Sequence, residues 1–326
     1  MSPRREAAWD VFYTVGNFKK SGWESVSTAM SENHPIAVNA AAAEGISVVL
    51  PVYNEREAVQ DVLYGLHRVL QAHGIEYEII AVDDGSSDDS STVIGEVPAV
   101  RLIQHPYNRG YGAALKTGIR HAQYEAIAII DADGTYAPES LVTLLEHWKD
   151  TDMVVGARVG PGAAIPTIRK PAKWVLSQVA NYLSGVKIPD LNSGLRVFKK
   201  SSALRFFNLL PSGFSFTTTI TLALLSNDHL VAYVPIPYAP RIGSSKIRPI
   251  RDTANFLGLI LRTLMYFSPL KVFIPVSLVF LGAGLCKTLY DVISAHNVST
   301  SDLLLWVTGT IIAMMGLLAD LIDKRS

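Results

Sequence analysis

Two apolar stretches, Pro269 to Ile293 and Leu303 to Ile322, limit what this 326-residue chain can fold into more than any other feature. Each approaches or exceeds the roughly 20 residues that a helix needs to cross a bilayer core. Leu303 to Ala319 carries no charge, and at about 1.5 Å per residue it covers roughly 25 Å, short for a bilayer yet workable. Lys287 interrupts the first stretch and is expected to extend its charge toward one membrane face. The alternative is an apolar hairpin buried in a soluble core. Flanking charges favour the membrane. Asp291 to Asp302 contains no Lys or Arg, whereas Arg262 and Lys271 precede the first stretch and Lys324 and Arg325 follow the second. By the positive-inside rule, both ends of the hairpin and the large preceding portion are expected in the cytoplasm. This describes an integral membrane protein, in the plasma membrane of a prokaryote or the endoplasmic reticulum of a eukaryote, with both termini cytoplasmic.

Composition fits: 49% of residues are hydrophobic and the mean hydropathy is +0.24. Two further segments mix basic, aromatic and apolar residues. Asp252 to Phe267 repeats Phe256, Leu257, Ile260, Leu261, Leu264 and Met265 on one side, and Ile165 to Leu183 combines Arg169, Lys170, Lys173 and Trp174 with apolar positions. Both are expected to lie in the lipid interface, the alternative being ordinary packing helices. Charge balances at 29 basic against 29 acidic residues, so nucleic acid is not an expected partner. The single Cys286 excludes an intramolecular disulfide and a cysteine-based zinc cluster. The first 44 residues contain no apolar run long enough for a leader or a span, and Ala40 to Ala43 reads as a linker.

From Gly45 to about Ala157, short apolar runs alternate with amphipathic segments, the pattern of an α/β protein with an open, mostly parallel sheet and helices on both faces. Strands are expected at Ile46 to Pro51, Tyr77 to Val82, Val100 to Gln104, Ala126 to Ile130 and Met153 to Gly156. A helical stripe follows the first strand through Val59, Val62, Leu63, Leu66, Val69 and Leu70, with Asn54 placed to cap it and Gly74 to end it. Further helices are expected to begin near Asn108 and Pro138. Such sheets bind ligands at the carboxyl ends of their strands.

Those ends carry the chemistry. After the first strand comes "PVYNE" (51–55), after the second "DDGS" (83–86), after the third "NRGYG" (108–112), and after the fourth "DAD" (131–133). Mg²⁺ and Mn²⁺ take one or two carboxylates and complete their shells with phosphate oxygens and water, so Asp131 and Asp133 form a candidate metal pair. The acidic pair Asp83 and Asp84 could hold a second metal, or Asp83 could accept hydrogen bonds from a nucleoside. No Walker A loop and no GxGxxG follows the strands, which argues against ATP hydrolysis and dinucleotide redox chemistry.

The motifs "VVLPVYNE", "VDDGSSDDS", "NRGYGAALKTGI", "DADGTY" and "DLNSGLRVFKK" together resemble, in order and spacing, family 2 glycosyltransferases of the GT-A fold. The later elements resemble the branch acting on polyprenyl (dolichol or undecaprenyl) phosphate. The resemblance implies transfer of a sugar from a nucleotide-sugar donor, UDP first and GDP second, to a polyprenyl phosphate, with inversion at the sugar. It implies that Asp131 and Asp133 hold Mg²⁺ or Mn²⁺ on the donor diphosphate, with Asp131 also at the donor. Pro51, Tyr53, Glu55, Asp83 and Gly110 match positions of the nucleoside pocket. Arg158, Arg169, Arg196 and Lys246 match positions that contact donor or acceptor phosphates. Asp190 is the candidate for positioning, orienting an acceptor-side cation or a sugar hydroxyl, and stands with Arg158 as a catalytic candidate. Thr135 departs from relatives that place a glutamine there.

The implied organisation is an arm and linker at 1–44, a cytoplasmic GT-A catalytic domain at 45–246 with an interface segment at 165–185, an amphipathic helix at 247–267, and a hairpin with short tail at 268–326. Short spans leave room for a homo-oligomer. Two rival functions share the fold. A processive polysaccharide synthase would carry a Gln-x-x-Arg-Trp motif, which does not occur here. A non-catalytic membrane adaptor would have no need of both aspartates and the cationic set.

Overall fold

The computed structural model describes residues 45–158, 185–239 and 269–323, together with residues 178, 181, 182, 258 and 265. The arm at 1–44 and nearly all of both expected interface segments lie outside the described residues.

The elements run β1 (Ile46–Val52), α1 (Arg56–Ala72), β2 (Tyr77–Asp83), α2 (Ser90–Gly95), β3 (Val100–Gln104), α3 (Tyr111–His121), β4 (Ala126–Ile129), α4 (Glu139–Glu146), β5 (Met153–Arg158), β6 (Arg196–Lys199), α5 (Lys200–Arg205), α6 (Phe216–Ser226), β7 (Val231–Ile236), α7 (Pro269–Ala295) and α8 (Thr300–Asp323). The described strands form one sheet in the order β3-β2-β1-β4-β6-β5-β7. Every pairing is parallel except those of β6, which runs antiparallel to both β4 and β5.

The strands are continuous apolar runs because both sheet faces are covered. In β1, Val48 and Leu50 face one cluster and Val49 the other, and in β2 Ile79 and Ala81 alternate in the same way with Ile80 and Val82. Helix α1 closes one face with Val59, Val62, Leu63, Leu66 and Leu70, joined by Leu141 and Leu144 of α4. Helices α3 and α6 close the other, through Ala114, Leu115, Ile119, Phe216 and Ile220. Gly74, with φ of 62°, follows the end of α1 as its position suggested.

Two of the strands escape sequence patterning. β6 has only four residues, and β7 contains Pro235, which argues against a central strand. β7 lies at the sheet edge, where a missing N–H is tolerated. The reversal of β6 matters for the site. It brings the residues that precede Arg196 to the edge where β1, β2, β4 and β5 end.

Helices α7 and α8 pack against each other as an apolar hairpin. Ser277 is buried between them and donates from Oγ to the Gly309 carbonyl at 2.7 Å. Only 11% of the most apolar window of either helix is buried. Leu278, Val279, Ile293, Met314, Leu318 and Ile322 are each more than 60% exposed or close to it. A core hairpin of a soluble domain would hide these side chains, whereas so large an exposed apolar surface calls for lipid or a partner. Lys287 does not extend alone toward a membrane face. Its Nζ lies 2.6 Å from Asp291, 3.0 Å from Asp302 and 2.9 Å from Ser299 Oγ. Pairing within the hairpin relieves the cost of its charge, which lone extension would have left to the headgroups.

Candidate active site

A cavity of about 310 Å³ opens at the carboxyl edge of the sheet. Its wall at β1 is Pro51, Val52, Tyr53 and Glu55. The turn that carries them is tied to the turn after β2. The Asn54 amide donates to Ser86 Oγ at 2.9 Å, the Ser87 amide to Asn54 Oδ1 at 2.7 Å, and the Glu55 amide to Ser90 Oγ at 3.0 Å. Asn54, at φ 53°, is therefore not the helix cap expected from its position; Glu55 occupies that place without a side-chain capping bond.

The two acidic residues after β2 shape loops. Asp83 does not line the cavity; it is 4% exposed and its Oδ1 accepts from the Ser86 amide at 3.1 Å. Asp84 does line it, accepting from the Arg109 and Gly110 amides at 2.9 and 2.7 Å, with His105 Nδ1 at 2.6 Å. These bonds hold the 108–112 loop against the cavity. Gly110 has φ of 103°, and a Cβ there would stand 2.5 Å from the Ser212 carbonyl oxygen. Only glycine accepts both conditions.

Asp131 and Asp133 follow β4 by two and four residues and both line the cavity. Tyr111 donates its hydroxyl to Asp131 Oδ1 at 2.8 Å. Burial, then the Asp131 charge and hydrogen bond, push that phenol well above its ordinary pKa. Thr135 donates to Asp133 Oδ1 from Oγ1 at 2.6 Å and from its amide at 3.2 Å. Gly194 lies so close behind Asp131 that a Cβ would overlap the carboxylate.

Arg158, at the end of β5, meets Asp190 from the lead-in to β6, Nε to Oδ2 at 2.7 Å and the terminal nitrogen to Oδ1 at 2.9 Å. The guanidinium lies 5.3 Å from the Tyr238 ring centre. Burial alone would lower its pKa, but the Asp190 hydrogen bonds and charge override this and raise it. Arg158 remains a cation while lining the cavity.

Arg196 requires a correction. It is fully buried, and its guanidinium donates to the Ser193 carbonyl, the Thr217 carbonyl and Thr221 Oγ1 at 2.5 to 3.1 Å. With its donors directed to these internal acceptors, it braces the loop before β6 and does not line the cavity. Arg169 and Lys246 lie outside the described residues.

Several lining residues had no assigned role in the sequence: Tyr111, Asn192, Gly194, Phe214, Thr217 and Tyr238. Asn192 and Gly194 sit inside the "DLNSGLR" motif, which could have flagged them. Phe214 and Tyr238 follow no motif and come to the site only through the tertiary fold.

The donor set suits a hard divalent cation. Four acidic residues line the cavity, Glu55, Asp84, Asp131 and Asp133, of which Asp131 and Asp133 stand together after β4, and no group of three or more His, Cys, Asp or Glu residues arranged to hold a metal occurs among the described residues. A cation here would take most of its shell from ligand oxygens and water, as Mg²⁺ and Mn²⁺ do beside a diphosphate.

Comparison with known proteins agrees with this architecture. Residues 47–207 match the model for glycosyl transferase family 2, and residues 268–324 match the GtrB C-terminal hairpin. The chain is 30% identical over 220 residues to a polyprenol monophosphomannose synthase of Mycolicibacterium smegmatis, covering 61% of this chain and 80% of that one. It is 28% identical over 215 residues to an undecaprenyl-phosphate mannosyltransferase of Micrococcus luteus, covering 62% and 87%. Among solved structures, glucosyl-3-phosphoglycerate synthase of Mycobacterium tuberculosis, in complex with Mn²⁺, UDP and glucosyl-3-phosphoglycerate, superposes with a TM-score of 0.55 at 18% identity over 72% of this chain and 86% of that one. At that identity the likeness establishes the fold, a GT-A sheet. With its sheet, its strand-end carboxylates and its apolar hairpin, this chain belongs to glycosyl transferase family 2 and carries a GtrB-type hairpin at residues 268–324.

Proposed function

We propose that the protein transfers a hexose from a nucleotide-sugar donor, UDP-linked first and GDP-linked second, to a polyprenyl phosphate on the cytoplasmic membrane face. The observation that carries this reading is convergence. Asp131, Asp133 and Arg158, the last held by Asp190, line one cavity in a chain that carries an exposed apolar hairpin. The relatives named for undecaprenyl-phosphate mannosyl transfer and polyprenol monophosphomannose synthesis support the acceptor class.

In this reading the nucleoside lies along Pro51, Tyr53, Glu55 and Gly110, with Asp83 behind the wall. The donor diphosphate lies toward Asp131 and Asp133, which would hold Mg²⁺ or Mn²⁺. The bound cation would supply charge to stabilise the departing diphosphate. The acceptor needs no strong base, because a phosphate monoester with a second pKa near 6 is already largely dianionic at neutral pH. Asp190 accordingly serves by aiming Arg158, whose planar fork can bind phosphate oxygens. A single displacement at the anomeric carbon inverts its configuration. Arg169 and Lys246 are assigned to acceptor or donor phosphates by resemblance, and the cytoplasmic siting rests on the Lys and Arg distribution around the hairpin.

The test is reconstitution of the purified protein in vesicles with polyprenyl phosphate and a panel of labelled UDP- and GDP-sugars. Label should enter a lipid-linked monosaccharide with one donor. A growing polymer would favour a processive synthase, and no lipid product with any donor would overturn the proposal.

A further inference from the structure

Thr135 stands two residues after Asp133, and the structure gives it a specific occupation. It is 1% exposed, and both its hydroxyl and its amide donate to Asp133 Oδ1. Its own carbonyl accepts from the Ala239 amide at 3.0 Å, next to the cavity-lining Tyr238. The donor is thus itself pinned to the exit of β7. Across the cavity floor Tyr111 does the same for Asp131, through its hydroxyl at 2.8 Å. The Tyr111 ring is held by Phe214, stacked with centres 5.6 Å apart and planes 17° from parallel. Gly194 closes the space behind Asp131.

We propose that Thr135 and Tyr111 are positioning residues that orient Asp133 and Asp131, one hydroxyl to one carboxylate, for a divalent cation. The proposal rests on the donor-site reading above. Small hard cations demand near-octahedral oxygen geometry, and a carboxylate free to rotate must be ordered when the cation arrives. Each hydroxyl removes that rotation beforehand, which is how groups behind metal ligands raise affinity. The phenol hydroxyl is the donor in this contact, since a carboxylate only accepts.

Mn²⁺ binding to the full-length protein in detergent, followed by electron paramagnetic resonance with UDP or GDP present, tests this without reference to turnover. Thr135→Val keeps the side-chain shape and removes the hydroxyl; it should weaken Mn²⁺ binding about 10- to 100-fold. Thr135→Ser should restore it, and Tyr111→Phe should weaken it in the same direction. A purely structural role would lower the thermal midpoint and leave Mn²⁺ affinity unchanged. Wild-type affinity in both Thr135→Val and Tyr111→Phe overturns the proposal, and Tyr111→Phe alone decides if Thr135→Val does not fold. Failure of the wild-type protein to bind Mn²⁺ with either nucleotide would instead overturn the donor-site reading on which it depends.

Discussion

Arg158 and Asp190 form a two-point ion pair, 2.7 and 2.9 Å, between the end of β5 and the loop that enters β6. The Arg158 amide also donates to Asp190 Oδ2 at 3.2 Å, so the carboxylate fixes both the backbone and the guanidinium. Arg158→Lys keeps the charge and loses the fork, and a point charge cannot replace a planar donor set. Its kcat/KM for sugar transfer should fall by about 100-fold, with the thermal midpoint little changed. Near wild-type kinetics would remove Arg158 from the phosphate-handling role.

Arg196 gives the opposite expectation. Arg196→Met strips the guanidinium donors from the Ser193 carbonyl and from Thr221 Oγ1, while the Thr217 carbonyl keeps the Thr221 hydroxyl at 2.8 Å, and each buried acceptor left unpaired costs about 1–3 kcal/mol. The variant should unfold several degrees lower, as followed by tryptophan fluorescence. A lost phosphate contact would instead leave the midpoint intact and weaken nucleotide binding alone.

Gly194→Ala sets a methyl group against the Asp131 carboxylate. The carboxylate must shift, and a misplacement of about 1 Å near reacting groups can lower the rate roughly 100-fold. Loss of Mn²⁺-dependent nucleotide binding by calorimetry should accompany the loss of rate. Retention of both would mean that Asp131 does not hold the cation.

Asp152 links three strands at the opposite edge, with Lys199 Nζ at 2.6 Å, the Leu230 amide at 3.0 Å and His229 at 3.2 Å. Burial alone would raise its carboxyl pKa, but the Lys199 and Leu230 hydrogen bonds and the neighbouring charges hold it below the usual carboxylate range. A depressed folded-state pKa contributes stability that is complete above the unfolded value of about 3.9 and is lost as pH falls through the folded value. Asp152→Asn should therefore lower stability at neutral pH and flatten the acid limb of a stability-versus-pH profile below about pH 4. An unchanged acid limb would show that Asp152 does not set it.

Sequence patterning reached β1 to β5; strands buried on both faces read as apolar runs, and the acidic ends of β2 and β4 stand out against them. It extended to the hairpin for the same reason of contrast. It did not reach β6 and β7: β6, RVFK, is as short as β4 but has charged residues at both ends in place of an apolar run, and β7 carries a proline at the sheet edge. Asp84 and Asp83 differ in the site only through which loop each one faces, and adjacent identical residues carry no sequence signal of that. Arg196 shows the same limit: a guanidinium that braces a buried loop and one that binds phosphate share a letter, and burial alone separates them. Tyr111 and Thr135 sit within recognised motifs, but their hydroxyls gain meaning from the carboxylates the fold brings beside them.

The most direct test compares wild-type protein with Asp133→Ala, with Mn²⁺ present and after chelation, by the rate at which labelled sugar passes from its nucleotide to polyprenyl phosphate. A lipid-linked sugar should form with wild-type protein and Mn²⁺, and its rate should fall by about 100- to 1,000-fold in Asp133→Ala, with a comparable loss on chelation. An undiminished rate in Asp133→Ala would contradict the assignment of the strand-end carboxylates to the donor diphosphate.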